Sequence, residues 1–87
     1  MKHFIIIGSE GFIGSRTSIY LSEKGHQVTA IDVPGAKGRS DYSNKLNNNS
    51  NIEVLYINDL SEFSWKNTSD NPTIIYTANQ SFHLANK

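Results

Sequence analysis

The chain has 87 residues, of which 8 are basic and 8 acidic, a formal net charge of zero and no cysteine. This length allows one domain, the balanced charge offers no basic surface to nucleic acid, and the lack of cysteine excludes disulfides, thiolate metal sites and cysteine nucleophiles. The longest apolar run, residues 4–7, is too short for a signal peptide or for a membrane span of about 20 residues. We therefore expect a soluble, cytoplasmic protein without a metal site.

The first third of the chain has the pattern of a β-α-β unit. His3–Ile7 is a β-branched and aromatic run that stops at a glycine, which indicates a strand buried on both faces. A helix is predicted over Ile13–Lys24, and Gln27–Asp32 is a second strand, closed by a Val-Pro-Gly breaker. The helix face expected to pack on the sheet is formed by residues at helical spacing: Ile13, Thr17, Tyr20 and Leu21.

Two further strands are predicted in the rest of the chain. A long polar loop with room for one weak helical turn covers 34–51, Ile52–Ile57 is a third strand, Ser61–Lys66 a short helix and Thr73–Thr77 a fourth strand. Alternating strands and helices favour a parallel sheet, for which the doubly wound rule gives the spatial order 3-2-1-4. We thus predict one α/β domain over residues 1–87, a Rossmann-like sheet that has only the first four strands of a doubly wound fold.

The turn after the first strand carries the motif Gly-Ser-Glu-Gly-Phe-Ile-Gly. Gly8 permits the tight turn, Gly11 lets the backbone approach a pyrophosphate, and Gly14 lets the helix lie close to the sheet. The free N–H groups and the dipole of the helix start favour phosphate there. A nucleoside-triphosphate loop would end in Gly-Lys-Ser/Thr, whereas Ser15 and Arg16 follow the last glycine. The motif therefore indicates a dinucleotide.

Asp32 ends the second strand, 18 residues after the last glycine of the motif. There its carboxylate can accept hydrogen bonds from both hydroxyls of the adenosine ribose, and it would repel the 2′-phosphate of NADP. The competing feature is a set of cations, Arg16, Lys37 and Arg39, which could neutralise a phosphate. Two glycines leave the loop of Lys37 and Arg39 loose, so ordering it costs entropy. NAD is expected in preference to NADP.

The stretch from Phe4 to Val33 resembles the opening of extended short-chain dehydrogenases/reductases, the NAD-dependent epimerase/dehydratase group, which acts largely on nucleotide sugars. Gly-Phe-Ile-Gly within the spacing GxxGxxG is that group's usual form. Asn58-Asp59-Leu60 is similar to its Gly-Asp-Leu after the third strand, and residues 74–79 are similar to its Val-Ile-His-Leu-Ala-Ala. One departure is Thr17, which stands where a leucine usually packs the helix on the sheet.

The resemblance implies a set of cofactor contacts along the chain. They are Gly8, Gly11, Phe12, Ile13 and Gly14 for the pyrophosphate, Asp32 and Val33 for the adenosine ribose, Asp59 and Leu60 for the adenine, and Thr77 and Ala78 for the middle of the cofactor. For Asp59, a cap of the short helix that follows is an equally good interpretation.

The family's catalytic Tyr-x-x-x-Lys lies after a fifth strand, and we identify no catalytic residue here. Tyr20 and Lys24 have that spacing, but their helix leads away from the glycine motif, so we interpret Tyr20 as a packing residue and Lys24 as a cation favoured at the helix end. We expect an N-terminal fragment that transfers no hydride alone and needs a missing C-terminal part to bind a nucleotide sugar. The alternative is a non-catalytic dinucleotide-binding protein resembling NmrA-like redox sensors.

The fourth strand would leave one edge of the sheet unpaired. Its apolar pair Ile74 and Ile75 would then favour self-association, because unpaired edges invite further strands. A second copy of the chain, paired at this edge, is therefore a partner that the sequence predicts besides the cofactor.

Overall fold

A computed structural model describes residues 2–64 and 71–77. Its elements in chain order are β1 (His3–Ile7), α1 (Phe12–Glu23), β2 (Gln27–Asp32), a 3₁₀ turn (Pro34–Ala36), α2 (Ser43–Asn47), β3 (Ile52–Tyr56), a second 3₁₀ turn (Leu60–Glu62) and β4 (Thr73–Tyr76). The four strands form one parallel sheet in the order β3-β2-β1-β4. The α/β, Rossmann-like arrangement and the predicted strand order are therefore confirmed.

The two sheet faces are covered differently in this part of the chain. On one face, α1 and α2 cover a cluster of buried residues: Ile6, Val28, Ala30, Leu46 and Ile52. On the other, the second 3₁₀ turn supplies Leu60 to a cluster with Ile5, Ile7 and Ile31. Because successive strand residues point to opposite faces, the continuous isoleucine run of β1 contributes to both clusters.

The predicted buried face of the first helix is wrong at Ile13 and Tyr20, whereas Leu21 packs against the cluster under the helix. Ile13 is 64% exposed and Tyr20 58% exposed, while Thr17 and Leu21 are only partly buried. The residues that face the sheet are small ones, and they are Gly14, Ser15, Ser18 and Ser22.

Small residues can line this interface because their hydroxyls are satisfied within the helix. The hydroxyls of Ser18 and Ser22 donate to the carbonyls of Gly14 and Ile19, each at 2.8 Å. Such back-bonding lets a serine be buried without an unpaired polar group. The helix consequently lies close to the sheet, with Ile19 and Leu21 packed at the edge of the cluster and Phe12, Ile13 and Tyr20 exposed.

Segment 34–51 is more ordered than the loop predicted there. α2 supplies the expected helical turn, and Leu46 within it is fully buried, while Ala36 in the first 3₁₀ turn is 1% exposed. The looseness inferred from its glycines overlooked these two anchors, each of which removes apolar surface from water. The segment therefore has a defined position beside the carboxyl end of β2.

Among the described strands, β4 pairs with β1 alone. Ile74 is 50% exposed and Tyr76 45% exposed, whereas Ile75 packs against the cluster under α1 and α2. Self-association through this strand stays a prediction.

Candidate functional site at the carboxyl edge of the sheet

The carboxyl ends of β1 and β2 meet the amino end of α1 at one edge of the sheet. The chain leaves β1 for β2 on one side, while β4 lies on the other side of β1. This arrangement is the topological switch point at which doubly wound sheets bind ligands. The glycine loop, residues 8–14, occupies that point.

The glycine loop begins with a turn that only glycine adopts easily. Gly8 has a φ of 95°, in the left-handed region. Its N–H donates to the carbonyl of Ile31 at 2.8 Å, which fixes the turn to β2, and its carbonyl accepts from the N–H of Gly11 at 3.1 Å. The turn predicted at Gly8 is therefore present.

The loop ends in a helix start with free donors. The first intrahelical bond of α1 runs from the N–H of Ser15 to the carbonyl of Gly11, at 3.0 Å. The N–H groups of Phe12, Ile13 and Gly14 precede that bond and have no acceptor within the helix. Together with the positive end of the helix dipole, they form a site suited to an anion such as a pyrophosphate.

Gly14 brings the start of α1 into close contact with the residues that follow β1 and β4. A Cβ atom there would stand 2.1 Å from the carbonyl oxygen of Gly8 and 2.7 Å from Oγ1 of Thr77. Thr77 ties β4 to the same place, because its N–H donates to the carbonyl of Ile7 at 2.8 Å and its hydroxyl lies 2.9 Å from that oxygen. The close helix–sheet contact predicted for Gly14 is present.

Asp32 at the end of β2 is 5% exposed and organises the loop electrostatically. Its Oδ2 accepts from the N–H of Glu10 and its Oδ1 from the N–H of Val33, each at 2.8 Å. A carboxylate oxygen can accept two hydrogen bonds, so each oxygen keeps capacity for a ligand hydroxyl. Asp32 is thus held in place, with acceptor capacity left on each oxygen.

Glu10, between the first two glycines, was not selected from the sequence. It is 2% exposed, and its carboxylate accepts from the N–H of Ser40 at 3.0 Å, the hydroxyl of Ser43 at 2.8 Å and the hydroxyl of Tyr56 at 2.6 Å. These contacts fasten the start of α2 and the end of β3 to the glycine loop. An acid inside an otherwise small and apolar glycine motif was the available signal.

The pKa values of this cluster follow from burial and hydrogen bonding. Burial raises the pKa of Glu10, but the hydrogen bonds from Tyr56, Ser40 and Ser43 outweigh it, so the net shift is downward. Burial, and then the hydrogen bond to Glu10, raises the pKa of Tyr56. At neutral pH Glu10 is therefore a buried anion and Tyr56 a neutral donor.

The comparison with known families decides what kind of domain carries this site. The model of the NAD dependent epimerase/dehydratase family matches residues 4–86. The chain belongs to this family. Comparison with curated proteins and with solved structures gives no match. Membership identifies a domain of the NAD(P)-binding kind, which confirms the resemblance seen in the sequence.

The described residues fit the dinucleotide that this family uses. Three first-turn N–H groups are available for phosphate. The lack of a Cβ at Gly14 lets the helix start pack against the carbonyl of Gly8 and the hydroxyl of Thr77. Phe12 and Ile13 have side chains that are 73% and 64% exposed, and their backbone N–H groups are among those that precede the first intrahelical bond.

Asp59, Leu60 and Ala78 complete the set predicted from the family resemblance. Oδ1 of Asp59 accepts from the N–H of Ser61 at 2.9 Å, which shows the capping interpretation without excluding an adenine contact. The side chain of Leu60 is buried in the cluster with Ile5, leaving its backbone for any ligand. Ala78 lies outside the described residues.

The three competing cations are not equally available. The guanidinium of Arg16 lies over the rings of Phe12 and Tyr42, 3.8 and 4.5 Å from their centres, and donates to the carbonyl of Phe12 at 3.2 Å. The ammonium of Lys37 is 5.5 Å from the ring centre of Tyr56. Arg39 is exposed at the rim of the loop. The cation that sequence spacing placed nearest the glycines is thus engaged in stacking.

Tyr20 and Lys24 lie where the sequence placed them, at the end of α1 that is distant from the glycine loop. Tyr20 is mostly exposed, so its interpretation as a packing residue is wrong; its ring instead lies 5.4 Å from the ammonium of Lys24. The side of α1 that is buried against the sheet consists of glycine and serine residues, and Tyr20 does not belong to it.

Two other kinds of site were searched for within residues 2–64 and 71–77. No group of three or more His, Cys, Asp or Glu residues that could hold a metal ion occurs in these ranges. In the same ranges, no helix has the length and apolar character needed to cross a bilayer.

We expect Glu10 to make the fold sensitive to acid. Since its pKa in the folded chain lies below the ordinary value of 4.5, its charged form stabilises the fold above pH 4.5, and this contribution is lost as the pH falls through the lowered value. Glu10→Gln should therefore lose less unfolding free energy than the wild type between about pH 6 and pH 3, measured by urea unfolding. The exposed Glu23→Gln should follow the wild-type profile, and identical profiles for all three would contradict the role of Glu10.

Proposed function

We propose that the chain binds NAD across the carboxyl edge of its sheet. The pyrophosphate would lie on the N–H groups of Phe12, Ile13 and Gly14, next to the turn made by Gly8 and Gly11. The observation that supports the proposal is the start of α1, where the first-turn N–H groups have no acceptor within the helix. Gly14 in this turn lies so close to the carbonyl of Gly8 that no Cβ would fit between them.

The adenosine half of NAD would lie toward β2 and β3. Asp32, whose two oxygens retain acceptor capacity, would bind the ribose hydroxyls beside Val33. Asp59 and the backbone of Leu60 would meet the adenine, and Thr77 with Ala78 would pass beside the middle of the cofactor. The carboxylate of Asp32 favours NAD over NADP, because a 2′-phosphate would bring a second negative charge to a buried anion.

Family membership supports a wider role for this domain. We infer that it is the cofactor-binding part of an NAD-dependent epimerase, dehydratase or reductase acting on a nucleotide sugar, with NAD supplying hydride transfer. The alternative is a dinucleotide-binding regulator without catalysis, resembling NmrA-like redox sensors. The reading frame beyond Lys87 separates them: a Tyr-x-x-x-Lys encoded there would support the enzyme, and a long domain without it would support the regulator.

The binding proposal is tested by calorimetric titration of the chain at matched ionic strength. NAD should bind saturably and at least about tenfold more tightly than NADP, a difference of about 1.4 kcal/mol. ADP-ribose, which keeps the pyrophosphate and adenosine, should bind about as well as NAD, whereas adenosine should bind far more weakly. A cooperatively folded chain that binds neither NAD nor ADP-ribose would refute the proposal, and tighter binding of NADP would refute its cofactor preference.

A further inference from the structure

The side chain of Glu10 makes its contacts with Ser40, Ser43 and Tyr56, none of which belongs to the helix start that forms the pyrophosphate site, so this buried acid has a further role. Its backbone N–H holds Asp32 at 2.8 Å, while its side chain binds Ser40, Ser43 and Tyr56. One residue thus connects the ribose-binding acid, the glycine loop and the segment 39–43.

A cavity of about 290 Å³ opens beside Glu10. Glu10, Gly11 and Phe12 form its wall on the side of the glycine loop, and the stretch 39–41 forms the opposite wall, with Arg16 also lining it. Since Glu10 is bonded directly to Asp32, this cavity adjoins the place where the proposed function puts the adenosine ribose.

We propose that Glu10 is a second specificity-determining acid of the cofactor site, which positions segment 39–43 as the outer wall of the ribose site and whose charge disfavours NADP. The inference rests on the proposed function and deepens it. Two anions with buried side chains, Glu10 and Asp32, would face a 2′-phosphate at this cavity, and each would repel it.

The cations around the cavity do not offset this charge. Arg16 is held between two aromatic rings and by a backbone carbonyl, so turning it toward a phosphate would break these contacts. Arg39 is exposed and would have to lose side-chain freedom on binding, while the Glu10 carboxylate is already fixed by three donors. The negative charge of the fixed Glu10 carboxylate therefore outweighs the positive charge of the exposed Arg39 side chain.

The decisive variant is Glu10→Gln, which removes the charge but keeps the shape and an acceptor oxygen. Calorimetric titration should show NADP gaining at least about tenfold relative to NAD, because the removed charge acts on the 2′-phosphate that only NADP carries. Tyr56→Phe is the matched control, because it removes one tether and leaves the charge. It should weaken NAD and NADP by the same factor. If Glu10→Gln left the ratio of the two affinities unchanged, Glu10 would be a tether only and the inference would fall.

A second measurement needs no variant and uses the wild-type chain. Repulsion is screened by salt, so the affinity of NADP relative to NAD should rise as the ionic strength is raised. A fall in that ratio would mean that NADP meets a net positive site and would overturn the inference. In either experiment, NAD binding without the expected ratio refutes the role of Glu10 alone, whereas the absence of NAD and ADP-ribose binding to a folded wild type refutes the proposed function itself.

Discussion

Gly14→Ala should unfold the chain or destabilise it severely. The added methyl group would stand 2.1 Å from the carbonyl oxygen of Gly8 and 2.7 Å from the Thr77 hydroxyl, distances that nonbonded carbon never adopts. Relief requires α1 to move off the sheet, and overpacking typically costs about 1 to 3 kcal/mol, or more where backbone must shift as it must here. A chain of 87 residues has little stability to spare. Urea unfolding followed by circular dichroism measures the loss, and NAD binding should disappear with it.

Two other glycines provide matched controls for this substitution. At Gly35 an added Cβ would have nothing within 4 Å, so Gly35→Ala should leave stability within about 1 kcal/mol of the wild type. At Gly11 the Cβ would lie 3.3 Å from the carbonyl oxygen of Gly8, a tight contact that small shifts can relieve, so its effect should be intermediate. Equal stabilities for the Gly14 and Gly35 variants would show that α1 does not pack as described.

The strands were the most predictable part of the fold. β1 and β2 have the predicted bounds, because each is a continuous apolar or β-branched run ended by a glycine or by Val-Pro-Gly, and both lie inside the sheet. Their order followed from the handedness of β-α-β connections rather than from any residue. β3 and β4 end one residue earlier than predicted, at Tyr56 and Tyr76, although the N–H groups of Ile57 and Thr77 still donate to the neighbouring strands.

The first helix was placed almost correctly, but its orientation was not. Hydrophobic spacing selected Ile13 and Tyr20, whereas the residues that approach the sheet are Gly14, Ser18 and Ser22, at intervals of four. A hydropathy pattern treats serine as polar, although a serine bonded to a carbonyl of its own helix can be buried without an unpaired group. Gly14, which the motif assigns to close packing of the helix on the sheet, lies on the face of α1 that is buried.

The candidate site also has a part that the sequence predicts and a part that it does not. The glycine loop and Asp32 were predictable, because a phosphate-binding turn restricts residue type at fixed spacing along the chain. Glu10 was not, since its partner Tyr56 is 46 positions away and Ser40 and Ser43 lie in a segment that looked loose. Contacts between distant residues leave no periodic pattern in a single sequence.

Asp32→Ala should cost both stability and NAD affinity. Removing the carboxylate leaves the N–H groups of Glu10 and Val33 without acceptors, and an unsatisfied buried donor costs about 1 to 3 kcal/mol. NAD would in addition lose charge-assisted bonds to its ribose, worth about 1.5 to 3 kcal/mol each, so its affinity should fall by at least about tenfold. NADP should lose less, because the same change removes a charge that repels its 2′-phosphate.

The two losses from Asp32→Ala are separated by measuring binding only under conditions where the variant is folded. Urea unfolding gives the stability, and calorimetric titration with NAD and NADP at matched ionic strength gives the affinities. Glu23→Ala is the control, because it removes the same charge from an exposed position at the end of α1 distant from the glycine loop, and it should bind both cofactors as the wild type does. If a folded Asp32→Ala variant bound NAD as tightly as the control, Asp32 would be a residue that supports the loop and not one that contacts the ribose, and the preference for NAD would then have to come from Glu10.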